Sequence, residues 1–111
     1  MKSAQDNLIV LNEANFQREV LEHNRPVLVL VKSSASGSSK IMQERFDELA
    51  GSRGESAKLG ILDGDQSREL AKHYRIQIFP TTLIFKDGAL VHRLPFLVPV
   101  EELTARIKRL M

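Results

Sequence analysis

Val27-Leu28-Val29-Leu30-Val31, followed by Lys32-Ser33-Ser34-Ala35-Ser36-Gly37-Ser38-Ser39-Lys40, is the stretch that decides how this chain folds. Its first five residues are apolar without alternation, which predicts a strand buried on both faces beneath flanking helices. Ser33–Ser39 is expected to form a loop. Apolar residues then recur at helical spacing, so a helix is predicted from about Ser38 to Ala50, ending at Gly51-Ser52-Arg53-Gly54.

Strands and helices alternate along the rest of the chain. Short apolar runs predict strands at Leu8–Leu11 and Lys58–Leu62. Thr81–Lys86 and Ala89–Leu94 flank Asp87-Gly88, a dipeptide that favours a tight hairpin. Three more helices are predicted, capped by Asn12 or Asn15, by Asp65 or Ser67, and beginning near Pro99. The order β-α-β-α-β-α-β-β-α predicts an α/β fold whose sheet has a parallel part and an antiparallel edge.

The composition is that of an ordinary globular domain without cysteine. The chain has 111 residues, which predicts a single domain over residues 1–111, and it is 42% hydrophobic and 27% charged. It contains no cysteine. A thiol redox couple, a cysteine metal site and a cysteine nucleophile are therefore excluded for the chain as it stands.

Neither nucleic acid nor a membrane is an expected partner, and no cofactor is implied. The 16 Lys and Arg residues are interspersed with 14 Asp and Glu residues, and only Arg106, Lys108 and Arg109 form a local basic cluster. There is no Trp and one Tyr for stacking on bases. Met1–Asn7 has no apolar stretch suited to a signal peptide, and no run has the length of a transmembrane helix, so a cytoplasmic location is expected.

A set of residues recurs at a defined order and spacing along the chain: Gly37, Lys40, Asp65, Tyr74, Phe79-Pro80-Thr81 and Phe85-Lys86-Asp87-Gly88. In this order and spacing the chain resembles the thioredoxin family from about Leu8 to Leu110. Phe79-Pro80-Thr81 stands where thioredoxins place their cis-proline loop. The resemblance implies a thioredoxin-like three-layer sandwich, in which helices flank a mixed sheet with a parallel βαβ half and an antiparallel hairpin.

The chain departs from that family at the residues that carry the family's redox reaction. Where thioredoxins have Trp-Cys-Gly-Pro-Cys-Lys, this sequence has Ala35-Ser36-Gly37-Ser38-Ser39-Lys40. The resemblance therefore assigns Ser36 and Ser39 to the two catalytic cysteine positions. Serine cannot form a disulfide, so both positions are inactive in that reaction.

Apolar residues also replace a charged pair that family members often bury. The aspartate behind the second sulfur aligns with Leu30, and its lysine companion aligns with Ile61. In an active thioredoxin this carboxylate helps proton transfer to the buried thiol. Because a buried ion is costly unless it is paired, the two replacements together indicate relaxation after loss of the chemistry. Ordinary drift of the core in a distant relative is the alternative.

The residues beside the cis-proline position are candidates for binding a partner. The resemblance implies that Phe79, before the proline, offers backbone N–H and C=O groups to an extended peptide by strand addition. Phe96 aligns with a glycine of the family's substrate groove and would form an aromatic pair with Phe79 there. Alternatively, both rings close the vacated groove. The predicted binding residues are Ala35, Gly37, Ser38, Lys40, Phe79, Pro80 and Phe96.

The loop Ser33–Ser39 is called the serine loop below, and the start of the helix after it is a candidate anion site. Backbone N–H groups at a helix N-terminus favour an anion, so Gly37-Ser38-Ser39-Lys40 could hold phosphate, sulfate or the thiolate of glutathione. A glycine-framed P-loop is absent, and Ser36 is also an ordinary helix cap. His23, His73 and His92 are scattered, so no catalytic triad or metal site is predicted.

Two functions from different classes fit these residues. The first is a redox-inactive thioredoxin-like protein that is not an enzyme and binds a protein or an extended peptide, as an adaptor or a chaperone-type module. The second is a thiol–disulfide oxidoreductase whose cysteines at positions 36 and 39 were replaced by serine. Residue 36 would then attack and residue 39 would resolve. Deliberate replacement would not explain Ala35, Leu30 and Ile61 as well.

Overall fold

Strands and helices alternate in the predicted order in the computed structural model, which describes residues 8–53 and 56–111. The strands are β1 (Leu8–Leu11), β2 (Val27–Lys32), β3 (Lys58–Asp63), β4 (Thr81–Lys86) and β5 (Ala89–Pro95). The helices are a π-helical turn (Gln17–Leu21), α1 (Gly37–Arg53), α2 (Arg68–His73) and α3 (Val100–Leu110). No helix in these ranges has the length and apolar character needed to span a bilayer. Met1–Asn7 and Gly54, which carry two of the sequence expectations, lie outside the described residues.

The strands form one mixed sheet in the order β1-β3-β2-β4-β5. Strand β3 pairs in parallel with both β1 and β2. Strand β4 runs antiparallel to β2 on one side and to β5 on the other. The predicted α/β fold, with a parallel half and an antiparallel hairpin at the edge, is therefore confirmed.

Strand β2 lies at the centre of this sheet and is buried on both faces. Residues 27–31 are each no more than 1% exposed. Leu28 and Leu30 belong to a core cluster that includes residues of α1 and α3. Val29 and Val31 belong to a second cluster, which includes residues of the π-helical turn and α2. Because alternate residues of a strand face opposite sides, two covered faces require the unbroken apolar run seen in the sequence.

The first predicted helix is a π-helical turn. The Glu22 N–H donates to the Gln17 carbonyl over 2.9 Å. The Asn12 side chain accepts hydrogen bonds from the Ala14 and Asn15 N–H groups, as a residue that begins a helix does. These bonds lie in the turn before the helix, because the N-cap position of the π-helical turn belongs to Phe16, which makes no side-chain cap bond. The predicted cap at Asn12 or Asn15 is therefore wrong in position. Apolar spacing over so few residues does not distinguish one helical hydrogen-bond pattern from another, which is why the π geometry was not foreseen.

Helix α1 extends past the end that the sequence suggested. It continues from Ala50 through Gly51 and Ser52, and Arg53 is its last described residue. The Ser52 hydroxyl donates to the Glu48 carbonyl over 3.3 Å, so this side chain bonds to the helix backbone. Glycine at position 51 is tolerated within the helix rather than ending it.

The hairpin and the final helix have the predicted geometry. Asp87 and Gly88 both have positive φ angles, 52° and 81°, as the favoured tight hairpin turn requires. Pro99 directly precedes α3, where its fixed φ of −64° suits the start of a helix. Leu103 and Ile107 are buried on the inner face of α3.

Leu30 and Ile61 form an apolar contact region at the positions where thioredoxins often bury a charged pair. They are register partners across β2 and β3. Leu30 is 0% and Ile61 is 8% exposed, and both belong to the same core cluster. No compensating charge lies at this register position, so a charge introduced there would be isolated.

Leu30→Asp should lower the free energy of unfolding by roughly 3–5 kcal/mol at neutral pH, because it buries a charge without a partner. Adding Ile61→Lys should recover part of that loss, since the two residues are register partners. Urea unfolding of the wild type, the single variants and the double variant measures both effects. Leu30→Asn is the neutral control of similar shape. A double variant no more stable than Leu30→Asp would contradict the inferred pairing.

Candidate functional site

The serine loop after β2 and the proline loop before β4 meet at one end of the sheet. The Phe79–Pro80 peptide bond is cis. Between the two loops, the Ser36 hydroxyl donates a hydrogen bond to the Phe79 carbonyl over 2.9 Å. The structure thereby joins two predicted site residues that are 43 positions apart in the sequence.

Ser36 and Ser39 occupy different environments at the start of α1. Ser36 is half-buried and directly precedes Gly37, the first residue of the helix. Ser39 is only 4% exposed, and its hydroxyl accepts a hydrogen bond from the Ser33 N–H over 3.2 Å. Both hydroxyls therefore hold the loop in place. Among their neighbours, Ser38 is half-buried, and Ala35, Gly37 and Lys40 are exposed.

Asp65 holds the serine loop in place through hydrogen bonds. Its carboxylate accepts hydrogen bonds from the Ser33 hydroxyl and the Ser34 N–H, both at 3.0 Å, and from the Ser34 hydroxyl at 3.1 Å. The Ser34 N–H, and after it the Ser33 hydroxyl, hold the pKa of the Asp65 carboxyl below its usual value of 3.8. The N-cap position of α2 belongs to Ser67, so the alternative prediction of an Asp65 cap is wrong.

Sequence reasoning missed Ser33 and Ser34 as site residues. They follow β2, and Asp65 follows β3, which pairs with β2 in parallel. Neighbouring parallel strands bring the residues at their carboxyl ends together, and this rule was the available signal.

Phe79 turns its ring inward, and its carbonyl is not free. A Cβ atom added at Gly64 would lie 2.6 Å from Phe79 Cε1, so the ring rests directly on that glycine. The ring also packs against the core cluster that includes residues of α2. The carbonyl accepts the Ser36 hydroxyl. The Phe79 carbonyl, which the sequence analysis assigned to an extended peptide, thus already has one hydrogen-bond partner inside the chain.

Phe96 differs from Phe79 in both exposure and backbone conformation. Its side chain is 50% exposed. Its φ of 66° lies in the left-handed region that favours glycine. The Phe96 N–H donates to the Pro80 carbonyl over 2.7 Å, which holds this residue beside the proline. Close ring pairs in the described part of the chain include neither Phe79 nor Phe96, so the expected aromatic pair does not form.

Two exposed isoleucines on the same elements were also missed. Ile41 is the fifth residue of α1 and is 42% exposed. Ile78 directly precedes Phe79 and is 51% exposed. Ile41 falls outside the inward helical stripe that contains Met42 and Phe46, and this outward position was the signal for it. Ile41, Ile78 and Phe96 are thus exposed apolar side chains on three segments: the start of α1, the loop before Pro80 and the residue after β5.

A cavity of about 310 Å³ lies beside the start of α1, at the predicted anion site. Lys32 and Lys40 line it, but so does Asp63, which offsets part of their positive charge. The Ser36 hydroxyl donates its proton to a carbonyl, so it forms no nucleophile–histidine pair. Residues 8–53 and 56–111 contain no group of three or more His, Asp or Glu side chains placed to hold a metal ion.

Comparison with known proteins agrees with this geometry. The family model described as Thioredoxin matches residues 7–109. The chain belongs to the thioredoxin family. Thioredoxins of Mycobacterium tuberculosis and Mycobacterium bovis are each 33% identical to it over 86 residues, which cover 78% of this chain and 74% of theirs. Thioredoxin 1 of Synechococcus elongatus is 33% identical over 89 residues, which cover 80% of this chain and 83% of its own.

This member of the thioredoxin family has serine at positions 36 and 39 and no cysteine anywhere. Thiol–disulfide exchange begins with attack of a thiolate on a disulfide sulfur, so the chain cannot perform it. The groups at the site include serine hydroxyls, the Asp65 carboxylate, the ammonium groups of Lys32 and Lys40, and exposed apolar side chains. They are suited to non-covalent contact.

Asp65→Asn should lower the free energy of unfolding at neutral pH, and this difference from the wild type should disappear in acid. The folded-state pKa of Asp65 is depressed, so its stabilising contribution is present above the unfolded pKa near 3.8 and is lost as pH falls through the folded pKa. The difference in urea midpoint from the wild type should therefore be constant above about pH 5 and shrink below about pH 4.

Glu44→Gln is the matched control for this experiment, because it removes an exposed carboxylate of α1 without altering the loop. It should leave the urea midpoint almost unchanged at every pH. If the Asp65→Asn difference kept its neutral-pH size below the folded pKa, the charge of Asp65 would not be what fastens the serine loop.

Proposed function

We propose that this protein is a redox-inactive member of the thioredoxin family that binds a protein partner, as an adaptor or a chaperone-type module. The partner would dock on the exposed side chains of Ile41, Ile78 and Phe96, called the Phe96 surface below. Because the chain has no thiol, docking is non-covalent and does not depend on the redox state of the partner.

The combination of exposure and backbone strain at Phe96 carries this proposal. A bulky residue in the left-handed region costs roughly 1–2 kcal/mol. Half of the Phe96 side chain remains exposed, so burial within this chain does little to offset that cost. Strained residues cluster at functional sites, and exposed aromatic side chains are frequent anchors of protein interfaces. A partner that buries the Phe96 ring would offset the cost of the strained backbone, which gives a physical reason for phenylalanine at this position.

The geometry favours docking by side-chain contact over strand addition. The Phe79 carbonyl already accepts the Ser36 hydroxyl, and the Pro80 carbonyl already accepts the Phe96 N–H. An extended peptide that paired with these carbonyls would have to share each of them with a bond made inside the chain. An apolar partner segment that contacts the side chains of Phe96, Ile41 and Ile78 does not need these acceptors.

A disulfide oxidoreductase is the second candidate, for a natural protein with cysteine at positions 36 and 39. The observation in its favour is the difference in burial between these positions at the start of α1. Residue 36 is half-buried where the helix begins, which suits an attacking thiolate, and residue 39 is buried. Leu30 and Ile61 stand against it, because neither can transfer a proton to a buried thiol.

Phe96→Gly should be more stable than Phe96→Ala by about 1 kcal/mol, because only glycine relieves the left-handed backbone. Both variants lack the ring, so the difference between them isolates the strain. Urea unfolding at neutral pH measures it. Equal stabilities, or a less stable glycine variant, would show that position 96 is unstrained and would remove the main support for the proposal.

Peptides selected on the immobilised protein from a cysteine-free display library should be rich in apolar residues. Phe96→Ser should weaken their binding at least about tenfold, as loss of an interface anchor does. Fluorescence anisotropy with labelled peptides measures the affinities.

Val91→Ser is the matched control, since Val91 is also exposed, at 42%, and lies near the hairpin end of β5. It should leave the affinities unchanged. Selected peptides that bind Phe96→Ser as well as they bind the wild type would refute docking on the Phe96 surface.

A further inference from the structure

A second cavity, of about 620 Å³, lies at the edge of the sheet. It shares Lys32, Gln43 and Asp63 with the cavity at the serine loop and extends from them to β1. Its apolar wall includes Val10 and Ile61. Val10 is 77% exposed, because β1 is the edge strand and nothing in the described chain covers this side chain. A concave site of this size with an apolar wall is typical of small-molecule binding.

The polar end of this cavity lies where the helical connections change from one face of the sheet to the other. Helix α1, after β2, contributes to the core cluster that contains Leu30, and α2, after β3, contributes to the opposite cluster. Lys32 and Asp63 are the last residues of β2 and β3 and are register partners. In open α/β sheets, ligands bind outside the carboxyl ends of the strands at such a point.

The charges in the lining select a class of ligand. Glu13, Asp47 and Asp63 contribute carboxylates, and Lys32 contributes the one ammonium group among the lining residues. The Lys32 ammonium donates to Gln43 Oε1 over 3.1 Å. In the described part of the chain, none of the three carboxylates forms a salt bridge within 4.0 Å. Glu13 accepts a hydrogen bond from a backbone N–H group, and Asp63 accepts two. The cavity therefore combines an apolar wall with an excess of negative charge.

We propose that this cavity binds a small organic cation with an apolar body. The body would cover Val10 and Ile61, and the cationic group would lie near Asp47 and Asp63. An anion would meet three carboxylates. A metal ion fits less well, because no cluster of His, Asp or Glu in residues 8–53 and 56–111 is placed to hold one. This site is separate from the Phe96 surface and does not depend on the partner-binding proposal.

Titration of the isotope-labelled full chain with phenylbutylamine, followed through backbone amide chemical shifts, tests the proposal. We expect saturable shifts at Val10, Asp47, Asp63 and their neighbours. Phenylbutyrate has the same apolar body with the opposite charge, and its affinity should be lower by a factor of about five or more. Phenylbutanol, which is neutral, should fall between them.

Two variants locate the site. Asp47→Asn should weaken phenylbutylamine binding by about twofold to fivefold, whereas Glu44→Gln on the same helix, outside the cavity lining, should not. Val10→Arg places a cation and its stem in the cavity and should abolish the saturable shifts. Because Val10 is exposed, this variant should keep the wild-type fold and spectrum elsewhere.

Three results would overturn the proposal. The first is equal affinity for phenylbutylamine and phenylbutyrate. The second is a set of chemical-shift changes centred on Phe96 and Ile78, which would place the amine on the Phe96 surface instead. The third is undiminished binding to Val10→Arg.

Discussion

Burial of β2 on both faces is the constraint on which the rest of the structure depends. Leu28 and Leu30 pack in one core cluster, and Val29 and Val31 pack in the other. Moving this strand would open both clusters at once, and close-packed interiors resist such changes. Strands β3 and β4 pair with it on either side, and the serine loop begins at its carboxyl end. The position of the site is therefore fixed by apolar packing rather than by the chemistry of the site.

This independence explains how a thioredoxin-family fold persists without the family's cysteines. Leu30 and Ile61 continue the apolar core, and apolar residues are often as stable in such places as a buried ion pair. The hydroxyls of Ser36 and Ser39 bond to the proline loop and to the serine loop itself. They stabilise the local structure without supplying a reaction. Phe96 combines an exposed aromatic ring with a left-handed backbone, and burial within the chain does little to offset that strain.

Features set by local sequence were predictable. Val27–Val31 indicated a doubly covered strand, and Asp87-Gly88 indicated the hairpin, because each pattern suits one local geometry. The π-helical turn was not predictable, since few residues separate the alternative helical patterns. The role of Asp65 depends on where β2 and β3 end in space. The inward ring of Phe79 and the outward ring of Phe96 depend on the space around each loop. The left-handed backbone of Phe96 did have a signal, because this residue aligns with a glycine of the family.

The mass of the tryptic peptide Ser33–Lys40, taken from the protein in its source cells, tests the central claim most directly. The account predicts serine at positions 36 and 39, so that the natural protein has no thiol at its site and works by non-covalent binding. Cysteine at both positions, recognised by the mass increase of sulfur over oxygen at each, would contradict this. The protein would then be a disulfide oxidoreductase in a disabled form, and the strain at Phe96 would need another explanation.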